Sequence, residues 1–134
     1  MLPFKDLKRG NWVFVNDEGQ QERGEVTGLN ADEGQVGVTV TGGNEAYFVP
    51  SDVFPMPLSD ELLINELHFE KEVLPEGYVK YMHGPFRLVI ETPGDFSHSK
   101  IWYREDKRQI TYPLHVHQLQ NHYLEMTKVE LTES

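Results

Sequence analysis

Between residues 11 and 50 the chain runs through four short apolar stretches, each cut off by residues that turn a backbone. Asn11-Trp-Val-Phe-Val15 is apolar, β-branched and aromatic, and Asn16-Asp17-Glu18-Gly19 closes it. A second run spans Glu22 to Leu29, with Gly24 and Gly28 as bulge or bend positions, and Asn30-Ala-Asp-Glu-Gly34 turns it. Val36, Val38 and Val40 then alternate with Gly37, Thr39 and Thr41, the period of a strand with one buried face. Gly42-Gly43-Asn44 makes a tight hairpin loop, and Ala46-Tyr-Phe-Val49 is the fourth strand, stopped by Pro50. Four strands this short cannot leave two wet edges, so the stretch is expected to curl into a small barrel. Ser51-Asp-Val-Phe54 reads as a short helical turn plugging its end.

After Pro55-Met-Pro57, a stiff connection, Ser59 stands as an N-cap with Asp60 and Glu61 in the first turn, where the helix dipole favours anions. Leu62, Leu63 and Leu67 supply that helix's apolar face, which ends near His68. Strands are expected over Tyr78–Met82, Phe86–Ile90, Ser97–Arg104 and Gln109–Tyr112, with turns at His83-Gly84-Pro85, Thr92–Asp95 and Glu105–Lys107. A last helix covers about 114–126, since Val116, Leu119, Tyr123 and Met126 form one apolar stripe. The fold class is α+β: a small N-terminal β-barrel over residues 1–57, then helix, antiparallel β-meander and C-terminal helix over 58–134, packed as one compact unit. The order of strands and plug over 1–57 resembles SH3-like barrels.

Charge narrows the partners. Twelve Lys and Arg face 22 Asp and Glu, a formal net charge of -10, and the excess is shared evenly by the two halves. Phosphates would meet net repulsion, so nucleic acid is not an expected partner. The local exception is Lys100-Ile-Trp-Tyr-Arg104 with Lys107 and Arg108, basic residues interleaved with aromatics. Its plainer reading is a half-exposed strand balanced by Glu105 and Asp106. The chain has no Cys, which excludes a disulfide framework, a Cys-ligated zinc finger and thiol catalysis. No apolar run approaches the ~20 residues of a membrane helix. Met1-Leu-Pro-Phe-Lys-Asp6 lacks a basic region followed by an apolar stretch, so a cytoplasmic protein is expected.

Three segments together carry a resemblance: Gly10-Asn11-Trp12-Val13; Pro55-Met-Pro-Leu58 with Glu61-Leu62-Leu63 and Phe69-Glu70; and Val116-His117-Gln118-Leu119-Gln120-Asn121 with Tyr123, Glu130 and Leu131. The chain resembles a family of short, uncharacterised bacterial proteins, many from mobile-element or phage-like neighbourhoods. The resemblance implies a common fold and brings no activity, cofactor or catalytic residue. His68 and Lys128 stand where the family commonly has Gly at a helix end, a position that favours the left-handed conformation.

Six His invite a metal hypothesis, densest at His115, His117 and His122. On a helix, ligands share an ion at i and i+3 or i+4. His115 and His122 are seven apart, and His117 points elsewhere, so no metal or other cofactor is expected. His117, Gln120, Asn121 and Leu124 form a second stripe whose imidazole and amide groups can bond exposed backbone, within the fold or on a partner. Trp12, Phe14, Tyr47 and Phe48 could line an aromatic groove, although neighbours on a strand face opposite ways. His117, Gln120, Asn121, Trp12 and Tyr47 are thus the candidate binding residues. Ser97-His98-Ser99 is read as a coincidence, because adjacent strand residues cannot pair as nucleophile and base. No catalytic motif occurs, and the paired carboxylates sit in turns. The function expected first is a non-catalytic protein-binding or adaptor module. The alternatives are a metal-dependent or hydrolytic enzyme using the C-terminal His cluster, and a nucleic-acid-associated accessory protein using Lys100–Arg108.

Overall fold

The computed structural model describes residues 4–40 and 43–131, apart from the Phe4 side chain. Expectations for Met1–Pro3, for Thr41 and for Gly42 in the third hairpin loop lie outside the described residues. The chain divides into two compact units, Met1–Met56 with His115–Asn121, and Pro57–Leu114 with His122–Ser134. The boundary after Met56 falls one residue from the expected one, and the first half of the last helix counts with the N-terminal unit.

In the first unit, a 3₁₀ turn at Phe4–Asp6 precedes five strands: β1 Trp12–Asp17, β2 Gln20–Asn30, β3 Gln35–Val40, β4 Glu45–Phe48 and β5 Val53–Pro55. They form one antiparallel sheet in the order β4-β3-β2-β1-β5. Among the described residues no pairing joins β4 to β5, so the described sheet is open. Strand alternation puts Val13, Val15, Val26, Val36, Val38 and Val53 on one face, where they are fully buried with Leu7. Gly24 is needed where β2 meets β3, because a Cβ there would lie 2.4 Å from Val38 Cγ1 and 3.1 Å from the Thr39 carbonyl oxygen. The expected helical turn at Ser51–Phe54 is corrected in part. Pro50–Asp52 is a 3₁₀ turn, but Val53 and Phe54 pair with Val15 and Phe14 as a strand. That strand is held by a partner some forty residues upstream, which no local pattern reveals.

In the second unit, Ser59 does cap a helical segment: its Oγ accepts the Leu62 amide at 3.1 Å. The segment is short, however, and winds as a single π-helical stretch, Leu62–Glu66, rather than a regular helix reaching His68. His68 ends it with φ 60. Five strands follow: β6 Glu70–Val73, β7 Val79–His83, β8 Phe86–Ile90, β9 Ser99–Tyr103 and β10 Asp106–Ile110, in the order β10-β9-β8-β7-β6. β6 was not expected, because Glu-Lys-Glu-Val has no apolar alternation and lies exposed at the sheet edge. The last hairpin turns at Arg104-Glu105, with Arg104 at φ 57, rather than at 105–107, and this moves β10 upstream. Val79, Tyr81, Phe86, Leu88, Ile90, Ile101 and Ile110 form the buried face. Phe69, His83, Phe86 and Tyr123 stack edge to face or tilted beside it.

Helix α1 spans Val116–Thr127. Its start is fixed by Gln118, whose Oε1 accepts the His115 amide at 2.8 Å, as the third residue of a capping box does. It ends at Lys128, with φ 64.

Candidate binding face

The structure puts three of the five sequence-derived candidates together. Gln120 is buried, and its Oε1 accepts the Trp12 amide at 2.8 Å while its Nε2 donates to the Gly10 carbonyl at 3.1 Å. Asn121 Oδ1 accepts from Asn11 Nδ2 at 2.9 Å, and Asn121 Nδ2 donates to the Asp6 carbonyl at 3.0 Å. Asn11 Oδ1 in turn accepts the Lys8 amide at 2.9 Å. The two helix amides therefore tether residues 6–12 to α1. Trp12 is itself buried, with the Arg23 guanidinium 4.5 Å from its ring centre.

His117 is 2% exposed, and among the described residues its Nδ1 has no hydrogen-bond partner. Burial, helped by the nearby His115, lowers its pKa to about 4 despite the opposing pull of Asp6. Tyr47 stands apart from Trp12, with β2 and β3 between them. It is half exposed because its ring roofs two glycines: a Cβ on Gly37 would lie 3.1 Å from Tyr47 Cε1, and one on Gly28 would lie 3.1 Å from its hydroxyl.

The remaining His are engaged separately. The rings of His115 and His117 stack with centroids 6.3 Å apart. His122 Nδ1 lies 2.9 Å from Arg108 Nη1, and its Nε2 lies 2.9 Å from the Tyr112 hydroxyl. Arg can only donate, so Nδ1 accepts, and in the neutral ring Nε2 carries the proton toward Tyr112. Among the described residues no three His, Asp or Glu side chains gather to hold a metal ion. Ser97 and His98 lie in the bend before β9, not on a strand, and their side chains do approach to 3.4 Å. The Ser97 hydroxyl donates to Asp95 Oδ1 at 2.5 Å, and this bond, together with the Ser97 amide, lowers the Asp95 pKa.

A second surface comes from the other side of the C-terminal sheet. Alternation that buries Val79, Tyr81, Leu88 and Ile101 must turn Lys80, Arg87, Val89, Lys100 and Trp102 outward. The register lines these up in two cross-strand rows. One is Glu72, Lys80, Val89, Lys100 and Gln109; the other is Glu70, Met82, Arg87, Trp102 and Lys107. Between them lies a hollow of about 580 Å³. Leu74, Tyr78, Pro85, Val89 and Trp102 give it an apolar lining, and Lys80, Arg87, Lys100 and Arg104 surround this with positive charge against one lining carboxylate, Glu91.

The face is held in shape. Trp102 Nε1 donates to the Arg104 carbonyl at 2.8 Å, and Lys107 Nζ sits 4.1 Å from the indole centre. Arg87 donates to the carbonyls of Gly84 and Phe86. Lys80 pairs with Glu72 at 3.0 Å. Lys100 is exposed and makes no ion pair among the described residues. Trp102 and Tyr78 remain 43% and 41% exposed, large for rings lying over a sheet. The sequence marked Lys100, Trp102, Arg104 and Lys107. It did not mark Lys80, Arg87 or Val89, whose only local signal is a cation inside each of two apolar strand runs.

No family model matches the chain, and neither a curated protein nor a solved structure matches it. No described helix is long and apolar enough to cross a membrane.

Proposed function

We propose that the chain is a non-catalytic binding module that recognises a protein segment on the open face of its C-terminal sheet. The observation that carries this is the hollow over Val89: an apolar lining with half-exposed aromatic rings, framed by cations, on a chain of net charge -10. Protein-binding hollows combine an apolar centre with a polar rim in this way. The N-terminal sheet adds a fold-level argument. The order β4-β3-β2-β1-β5, with a 3₁₀ turn leading into β5, supports an SH3-like small barrel, a scaffold common in adaptors.

The test is site-specific photo-crosslinking in the native host. A crosslinking residue at Gln109, on the rim, is expected to give a discrete protein adduct that Val89→Asp abolishes. The same residue at Gln20, at the start of β2, is expected to give none. Adducts of equal yield at both positions, or adducts only to nucleic acid, would reject the proposal.

A further inference from the structure

We infer that the segment seated on this face is an extended acidic peptide with one apolar anchor side chain, its carboxylates flanking the anchor. The inference rests on the function proposed above and names its partner. Val89 is directly opposite Lys80 on one neighbouring strand and Lys100 on the other. Strands ~4.8 Å apart set those two lysine backbones about 10 Å from each other, across an apolar floor. An extended peptide presents every second side chain to the same side at ~6.8 Å intervals. An apolar residue resting on Val89 therefore carries the residues two before and two after it outward over the lysines.

Charge complementarity fixes the sign. Lys80, Arg87, Lys100 and Lys107 stand in the two outward rows with Arg104 at the hollow, and these five cations outnumber the carboxylates beside them, Glu70, Glu72 and Glu91. Lys100 is exposed and unspent, so it can pair with a ligand carboxylate without first breaking a bond within the fold.

The same details weigh against a nucleic acid strand. Lys107 covers one face of the Trp102 ring, which closes that side to a stacking base. Affinity for nucleic acid scales with the number of phosphates neutralised, and this face offers one short cluster of cations on a chain of net charge -10.

Selection from a randomised nonapeptide library on the intact chain, with counter-selection on Val89→Asp and Trp102→Ala chains of verified fold, tests this. Enriched peptides are expected to carry two or more carboxylates around a single aliphatic or aromatic residue. Their affinity should fall at least tenfold on Lys100→Glu and on raising salt from about 0.05 to 0.5 M. Enrichment of neutral or basic peptides that still lose binding on Val89→Asp would overturn the acidic partner and leave the binding face standing. No enrichment over the two blocked chains would overturn both. Preferential binding of a nine-nucleotide oligothymidylate in parallel would also overturn both. Self-association removed by Lys100→Glu would make the occupant a second copy and overturn the inference.

Discussion

Gln120 of helix α1 holds Trp12 by its backbone, with the side-chain oxygen accepting the Trp12 amide at 2.8 Å. The same carboxamide donates to the Gly10 carbonyl, so one side chain satisfies a donor at the start of β1 and an acceptor just before it. The residue is 4% exposed, and water cannot replace it freely. Gln120→Leu should cost about 2–4 kcal/mol in urea denaturation, since two buried backbone groups lose their partners. Gln120→Glu keeps the acceptor and sets a carboxylate against the Gly10 carbonyl, so it should be no better. Asn121→Ala, at a half-buried site, should lower Tm by less. If Gln120→Leu unfolded within about 0.5 kcal/mol of the parent, the tether would not contribute to stability.

Lys128 ends α1 with φ 64, a conformation that costs a residue with a Cβ about 1 kcal/mol and glycine almost nothing. Its amide donates to the Leu124 carbonyl at 2.8 Å, and its side chain is exposed. Lys128→Gly should therefore stabilise by about 0.5–1 kcal/mol, a gain visible as a higher Tm. The opposite change checks the cause. Gly19, in the β1–β2 turn at φ 85 with open space around it, should lose a similar amount as Gly19→Ala. A Lys128→Gly chain no more stable than the parent would mean that the side chain contributes something the conformation hides.

His117 makes stability depend on pH in a defined window. Its folded pKa is about 4, lowered chiefly by burial, against an ordinary value of 6.5. Above pH 6.5 neither state binds the proton, and the contribution is complete. As pH falls from 6.5 to about 4, the unfolded chain takes up a proton that the folded chain refuses, and stability drops. The full loss is roughly 3 kcal/mol, and below the folded value it stops growing. His117→Leu, which also removes the unpartnered Nδ1, should flatten the stability profile across that window. An unchanged slope in His117→Leu would assign the proton to another group.

How far the chain could be read beforehand depended on whether an element was specified by its own residues. Val36 and Val38 face inward as their alternation requires, Ser59 caps the segment after it, and Val116, Leu119, Tyr123 and Met126 all bury along α1. β5 and β6 carry no such local signal, because their strands exist by pairing: Val53 needs Val15, and Glu72 needs Lys80. The candidate face failed to show for the same reason. Lys100 and Trp102 were legible as a basic, aromatic stretch, but only the register brings Lys80, Val89 and Arg87 beside them. The stripe of Gln120 and Asn121 was legible as polar, and what it bonds was not, because Gly10 and Asp6 offer backbone rather than side chains.

Tyr81 and Asp60 give the second unit its own acid sensitivity. The Tyr81 ring is buried, and its hydroxyl donates to Asp60 Oδ1 at 2.7 Å, where Lys71 Nζ also arrives at 2.9 Å. The hydrogen bond from Tyr81, then the one from Lys71, lowers the Asp60 pKa, and burial with the same bond raises that of Tyr81. A carboxylate whose folded pKa is depressed contributes stability above its unfolded value of about 4, and loses it as pH falls through the lower folded one. Tyr81→Phe should therefore cost about 1–2 kcal/mol at pH 7, the scale of a hydrogen bond to a charged group at a partly exposed site. The gap between variant and parent should narrow as pH falls through the lowered Asp60 value, since the parent's carboxylate is then protonated as well. Because His117 acts between pH 6.5 and about 4, the two losses separate along one acid titration. A gap that stayed constant down to pH 2 would mean that the Tyr81 hydroxyl stabilises by packing and not through the Asp60 charge.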